Sequence, residues 1–504
     1  MADGGRPPVT IIGAGFGGIC LGIKLRRAGI PFVILEKADE VGGVWRDNTY
    51  PGAACDIPSH LYSYSFESSH DWSRKYGTQP EIRSYLDHCA RKYGVIDHIR
   101  FGAEVRSARF DGADSRWHIE LADGDSQVSQ FLISATGQLS LPAEPRFPGL
   151  DSFGGRAFHS ARWDHDYDLR GKRVAVAGTG ASAIQFVPQI APLVERLHIL
   201  QRSAPYVLPK PDRRYRPLEK FLYRHFPAMM VASRTRQYLY HEMRVLPLTK
   251  GIGTKAFEAG WRRYLMNQID DEALRERVRP DYAIGCKRVL ISNDWYATLN
   301  RPNVELIAAG LGEVTETGVV AADGTRRDVD TIIFGTGFVT TDFLAPMTVT
   351  GPDGRRLHDV WRELGGAEAF KGLAMPGFPN LFVLYGPNTN LGHNSIIYML
   401  ERQADYVLEA LRYARTHGAR WLEVRPEAHD EYNAELQSRL KKTVWQSGCD
   451  SWYVTEAGKN TNNWPGFTFD YRRSTRFFDP VHYRTDADGL VGDHQPGIIA
   501  AAHV

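Results

Sequence analysis

Two clusters of small residues in this 504-residue chain have the spacing needed to hold a phosphate ester. The first, Gly13-Ala14-Gly15-Phe16-Gly17-Gly18, follows the β-branched run Val9-Thr10-Ile11-Ile12 and precedes an apolar stretch of helical period, Ile19 to Ala28. A second strand, Pro31 to Leu35, ends on Glu36, 23 residues beyond Gly13. Strand, glycine turn, helix and an acid at the end of the next strand form a complete dinucleotide fingerprint. The missing side chains let the backbone turn tightly and bring a helix N-terminus within hydrogen-bond reach of a pyrophosphate, while the acid accepts from ribose hydroxyls.

The same pattern returns at Arg173 to Ala177, Gly178-Thr179-Gly180-Ala181-Ser182-Ala183, a helix through Ile184, Gln185 and Val187, and the strand Leu197 to Leu200. Ala183 stands where the third glycine would be, an accepted variant. At the position of the acid this second copy carries Gln201-Arg202, followed by Ser203. A carboxylate suits an unphosphorylated ribose and a guanidinium pairs with a 2′-phosphate, so the first unit fits FAD or NAD and the second fits NADPH. For either unit the alternative is a βαβ element that binds nothing.

These motifs need scaffolding, and the remaining texture supplies it. The chain is expected to be α/β, with two Rossmann-like dinucleotide-binding domains and a helical insertion. Phe131 to Gly137 and Thr331 to Gly337 each run from a strand into a small-residue turn, where one unit hands over to the other, and are expected to be hinges. The expected division is an FAD-binding domain over 1–139 and 336–504, an NADPH-binding domain over 140–208 and 282–335, and a helical insertion over 209–281. The insertion is rich in Arg, Tyr, Phe, Leu and Met; its apolar stripes could face a membrane or a ligand, and packing onto a neighbouring domain is the preferred reading.

Composition narrows the field. The 61 Lys and Arg against 59 Asp and Glu leave a net charge of +2, too little to favour a nucleic-acid partner. The five cysteines never fall two residues apart, which excludes a C-x-x-C redox pair and a thiolate zinc site, and they read as reduced thiols in a cytoplasmic protein. The opening Met1 to Pro8 lacks the apolar core of a leader, and no membrane span is apparent.

Between the two nucleotide units lies Phe153-Gly154-Gly155-Arg156-Ala157-Phe158-His159-Ser160-Ala161-Arg162-Trp163-Asp164. Phe153, Gly155, His159, Trp163 and Asp164 match every fixed position of the F-x-G-x-x-x-H-x-x-x-W-[P/D] fingerprint, so the chain resembles the flavin-dependent Baeyer-Villiger monooxygenases. The Trp163-Asp164 end separates these from related flavin monooxygenases. Gly42-Gly43-Val44-Trp45 resembles the family's second flavin-domain loop, and Tyr50 to Asp56 resembles the segment whose aspartate sits beside the flavin. Cys286-Lys287-Arg288 resembles the region supplying the active-site arginine, and Gly386-Pro387-Asn388 the returning flavin strand. The cofactor-binding set so expected also includes Lys37, Tyr62, Gly137, Thr336 and Gly337. Glu456 to Thr461 departs from the cyclohexanone and phenylacetone types and looks closer to the 4-hydroxyacetophenone monooxygenase-like branch.

The resemblance implies that NADPH reduces FAD, that dioxygen adds at the flavin C4a carbon, and that the resulting peroxyflavin attacks a ketone to give an ester or lactone. A permanent cation must hold that peroxide anionic, and Arg288 takes the role, with Asp56 as its counter-charge and Lys287 joining Arg202 on the 2′-phosphate. For Arg288 the alternative is an ordinary interdomain salt bridge. His159, on what reads as a linker, is expected to position the NADPH domain and not to act as a base. Trp452 is expected at the nicotinamide ribose or the ketone pocket, or in the core. Sulfoxidation is an expected side activity. The rival functions are native N- or S-oxygenation by a flavin-containing monooxygenase and a non-catalytic flavin-binding protein; a disulfide reductase lacks its cysteine pair. Sequence leaves the oligomeric state open.

Overall fold

In a computed structural model, which describes residues 8–486, two parallel five-stranded sheets are built on the same plan. The opening segment judged above for a leader lies almost wholly outside those residues. The first sheet runs Leu381–Val383, Phe131–Ser134, Val9–Ile12, Phe32–Leu35, Ile99–Arg100. The second runs Val304–Ile307, Arg196–Leu200, Arg173–Ala177, Thr331–Phe334, Arg156–His159. In each, the strand entering the glycine turn occupies the centre, where both faces are covered; hence the unbroken apolar runs in place of alternation.

In each unit an antiparallel meander leads into a strand that neighbours the central one: Val105–Asp111, Arg116–Leu121 and Ser126–Ser129 before Phe131, and Leu311–Thr315, Gly318–Ala321 and Arg326–Asp328 before Thr331. The two crossovers between the units pair with each other, Ala143 N–H donating to the Gly337 carbonyl at 3.0 Å and Val339 N–H to the Leu141 carbonyl at 2.9 Å. The insertion is helical, with Pro217–His225, Pro227–Glu242, Val245–Lys250, Thr254–Gln268 and Glu272–Arg277.

The first glycine turn ends in the helix Phe16–Arg27, which buries Ile19, Leu21, Ile23 and Leu25; each such side chain contributes about 1.5–3 kcal/mol when removed from water. It packs on the long helix Ile396–His417, with Gly17 facing Leu400. Gly15 caps the helix with no side-chain hydrogen bond and no acid in the first turn, so its N-terminal N–H groups are not consumed by a local carboxylate.

Two expectations need correction. Cys286 and Cys449 form a disulfide across 163 residues, leaving Cys20, Cys55 and Cys89 as free, buried thiols; local spacing carries no record of which distant cysteines a fold brings together. The Phe153 to Asp164 segment is not a linker either: Arg156–His159 is the edge strand of the second sheet, paired in parallel with Thr331–Phe334. A strand of four residues whose partner lies far downstream gives no periodic signal of its own.

Gly13 has φ +101° and an added Cβ there would sit 2.7 Å from the Ala135 carbonyl oxygen. Gly13→Ala is therefore expected to cost about 1–3 kcal/mol, read as a lower urea midpoint together with loss of bound flavin; an unchanged midpoint would contradict this account of the turn.

Candidate active site

Both glycine turns open into one cavity of about 900 Å³. Gly13 and Gly178 are each pressed against the end of the neighbouring strand, with an added Cβ 2.7 Å from Ala135 O and 2.6 Å from Gly335 O. By contrast Gly180 has nothing within 4 Å of the same position, and Gly137 and Gly337, both at positive φ, face open space as well. The backbone is thus tight on the sheet side and clear on the cavity side, which is the shape of a phosphate cradle.

At the first turn the buried Glu36 carboxylate is fixed by three donors: Ala14 N–H at 2.7 Å, Ala38 N–H at 3.0 Å and Arg46 Nη1 at 2.9 Å. Lys37, Gly43, Val44, Trp45 and Tyr62 line the wall beyond it, Trp45 Nε1 donating to Tyr62 Oη at 3.1 Å and Phe16 meeting Tyr62 edge-on at 5.3 Å. At the second turn Thr179, Ala181 and Ser182 line the cavity with Arg202, Ser203 and Lys287. Lys287 Nζ donates to Ser203 Oγ at 3.1 Å and lies 4.8 Å over the Tyr282 ring. Burial, with Arg202 nearby, pushes the Lys287 ammonium below its ordinary pKa. Arg202 is largely exposed and lies 3.7 Å from Asp450. Two cations and a hydroxyl gathered at one end of the cavity form a donor set that fits a phosphate.

Arg288 stands between the two halves. It precedes the short parallel ladder Val207–Leu208 with Leu290–Ile291 and follows Cys286, whose disulfide ties it to the segment that carries Asp450 and Trp452. Across the cavity its Nη2 donates to Asp56 Oδ2 at 2.5 Å. Burial would raise the Asp56 carboxyl, but Arg288 outweighs it and holds the pKa below the ordinary 3.8. Asp56 in turn pushes the guanidinium further up against the effect of burial, so Arg288 keeps its charge at any working pH.

The clamp that seats Asp56 escaped the sequence reading. Gln185, on the helix after the second glycine turn, accepts from Ala54 N–H and donates to Ala54 O, both at 3.1 Å, so its amide closes a two-bond bridge to the first unit. Tyr50 reaches the same amide oxygen at 3.4 Å. A glutamine between the buried Ile184 and Phe186 of the Ala183–Ile190 helix was the available signal.

Other expected residues stand back from the cavity. Asn388 is buried at φ +57° and donates to Asn460 O at 2.8 Å, which makes it a turn residue. Gly18 lies under the first turn, where an added Cβ would overlap Gly13 O at 1.9 Å. His159 Nδ1 accepts from Ala161 N–H at 3.1 Å, and its ring meets Phe338 of the crossover edge-on. Trp163 packs between Phe158 and Phe186, and Asp164 accepts from Arg156 Nε at 2.7 Å. Thr336 and Trp452 do line the cavity.

Residues 7–347 match the flavin-binding monooxygenase-like family. A Baeyer-Villiger monooxygenase of Streptomyces coelicolor is 47% identical over 480 residues, covering 94% of this chain and 92% of that protein. An oxidized steroid monooxygenase bound to NADP superimposes with a TM-score of 0.83 at 33% identity, over 94% of this chain and 97% of the other. The complex of OTEMO with FAD and NADP gives 0.85 at 27% identity, over 95% and 100%.

A depressed Asp56 pKa contributes stability that is complete above the unfolded carboxyl pKa and is lost as pH falls through the lower folded value. Asp56→Asn is expected to destabilise the protein by about 1–3 kcal/mol at neutral pH, the deficit narrowing below pH 3.8. Urea titrations of both proteins along an acid series measure it, and a gap that stays constant would refute the pairing. Matched over most of its length and alike in architecture to solved relatives, the chain belongs to the flavin-binding monooxygenase-like family.

Proposed function

We propose that the chain is an FAD- and NADPH-dependent Baeyer-Villiger monooxygenase that turns a ketone into an ester or lactone, consuming dioxygen, with sulfoxidation of thioethers as a side activity. The observation that carries this reading is the Arg288–Asp56 pair in the one cavity that both glycine turns enter. On this reading residues 1–139 and 336–504 hold FAD, 140–208 and 282–335 hold NADPH, and 209–281 are inserted between. Glu36 receives the flavin's adenosine ribose; Arg202, Ser203 and Lys287 receive the 2′-phosphate of NADPH. The bound flavin supplies electron transfer from NADPH to dioxygen and delivery of one oxygen atom to the carbonyl carbon.

The chain's own residues arrange that chemistry. Arg288 directs permanent N–H donors at the negative charge that develops on oxygen as the carbonyl is attacked. Asp56 fixes the guanidinium's pose and offsets its charge. Trp452 and Tyr385 line the same cavity and present aromatic surface to it. We also place the chain in the 4-hydroxyacetophenone monooxygenase-like branch on the strength of Glu456 to Thr461; that segment forms a hairpin, Val454 bridged to Asn460, outside the cavity wall, so it speaks to lineage and not to ketone contact.

Product mass spectrometry of the purified enzyme with 4-hydroxyacetophenone, cyclohexanone and a thioether tests the reading, and oxidation of the thioether alone would favour the N- or S-oxygenating class. Arg288→Ala is expected to keep NADPH oxidation while ester formation falls about 10²–10³-fold; ester at the wild-type rate would overturn the assignment. Arg202→Ala is expected to shrink the preference for NADPH over NADH about tenfold, equivalent to one lost charge-assisted contact, as read from kcat/KM with each nucleotide.

A further inference from the structure

Sixteen large apolar side chains are exposed among the described residues, and eleven of them fall between Leu218 and Met266, in the helical insertion. The inner side of the insertion is well seated: Arg234 Nη1 donates to His60 O at 2.7 Å and to Ser63 O at 3.0 Å, and Tyr238 Oη meets Thr468 Oγ1 at 2.9 Å. Along Pro227–Glu242 the buried positions are Met230, Ser233, Gln237, His241 and Glu242. Val231, Leu239 and Tyr240 of the same helix are 62%, 57% and 64% exposed, and Met243 just beyond is 56% exposed. The helix thus seats four polar side chains and one methionine while four of the large apolar side chains on it and just beyond it face water, the reverse of what a core helix does.

The second observation is charge. From Arg213 to Met266 there are twelve Lys or Arg and three Asp or Glu, a balance of +9 in a chain whose total is +2, so the remainder carries −7. Two of the three acids are engaged locally, Glu219 with Arg213 and the buried Glu242 with Asn394 and Thr468. Exposed Arg236, Lys250, Lys255 and Arg263 have no ion pair among the described residues. At the Gly251-Ile252-Gly253 turn, both glycines at positive φ, Ile252 is 61% exposed between Lys250 and Lys255.

We propose that the outer surface of the helical insertion is a peripheral docking face for an anionic lipid bilayer. Apolar side chains interleaved with long cations suit the headgroup boundary, where the apolar groups enter the acyl region and the cations meet lipid phosphates. A second copy of the chain is the poorer occupant, because a two-fold contact would set this cationic segment against itself. No helix among the described residues is long and apolar enough to cross a membrane, so the contact is with the surface.

The test is co-sedimentation of the full-length, flavin-loaded protein with vesicles of phosphatidylcholine alone or with phosphatidylglycerol added. Binding to the anionic vesicles, weakened by salt, is expected. The double variants Lys250→Glu/Lys255→Glu and Leu239→Glu/Met243→Glu are each expected to lower the partition coefficient about tenfold or more, with flavin content and NADPH oxidation unchanged. The proposal falls if anionic vesicles do not retain the protein, if the variants partition like wild type, or if ultracentrifugation shows a dimer that the Leu239→Glu/Met243→Glu protein loses. None of these outcomes bears on the oxygenation reading, which rests on the cavity.

Discussion

The ion pair between Arg288 and Asp56 is the constraint on which the site depends, because its partners come from different sheet units. Asp56 follows the first unit's second strand by 21 residues, and Arg288 belongs to the second unit's side of the cavity. A charge pair can hold this position only if the backbones on both sides are fixed independently. On one side the Gln185 amide fixes Ala54, two residues before Asp56. On the other, the short ladder at Leu290–Ile291 fixes the residues that follow Arg288. The favourable charge interaction is then obtained without ordering either chain segment at the moment of contact.

The doubled architecture makes this possible. Each glycine turn is locked by the same contact, a missing Cβ against the carbonyl that ends the adjacent strand, Ala135 in one unit and Gly335 in the other. Each unit reaches that strand through an antiparallel meander. The chemical difference is confined to the end of the second strand: a carboxylate held by three donors in one case, an exposed guanidinium near a lysine in the other. One scaffold thus presents two polarities toward a single space.

What was legible in the sequence was whatever depends on neighbours in the chain. The glycine turns, Glu36, Arg202 and the helical texture of the insertion all follow from local spacing, and Glu36, Arg202 and most of the turn residues line the cavity. What was not legible depends on long-range pairing. Arg156–His159 becomes a strand only beside Thr331–Phe334, and Gln185 becomes a clamp only because Ala54 lies opposite. Asn388 shows the converse: its place in a recognisable motif suggested a ligand, while its amide in fact satisfies backbone carbonyls of the 460–463 turn.

The disulfide belongs to the same class of long-range fact and alters how the cavity wall is understood. Cys286 lies two residues before Arg288, and Cys449 lies one before Asp450 and three before Trp452, all of them cavity-lining except the cysteines themselves. Both flanking segments are irregular, with few backbone hydrogen bonds of their own. A covalent tie between two such segments reduces the conformations each can explore, which a helix or a sheet would otherwise do through its ladder. The wall around the cation is therefore held by a ladder on one side, an amide clamp on another and a covalent bond on the third. In such a frame the two backbones bring the guanidinium and the carboxylate within reach of each other, and the ion pair with Asp56 then sets the direction of the Arg288 side chain.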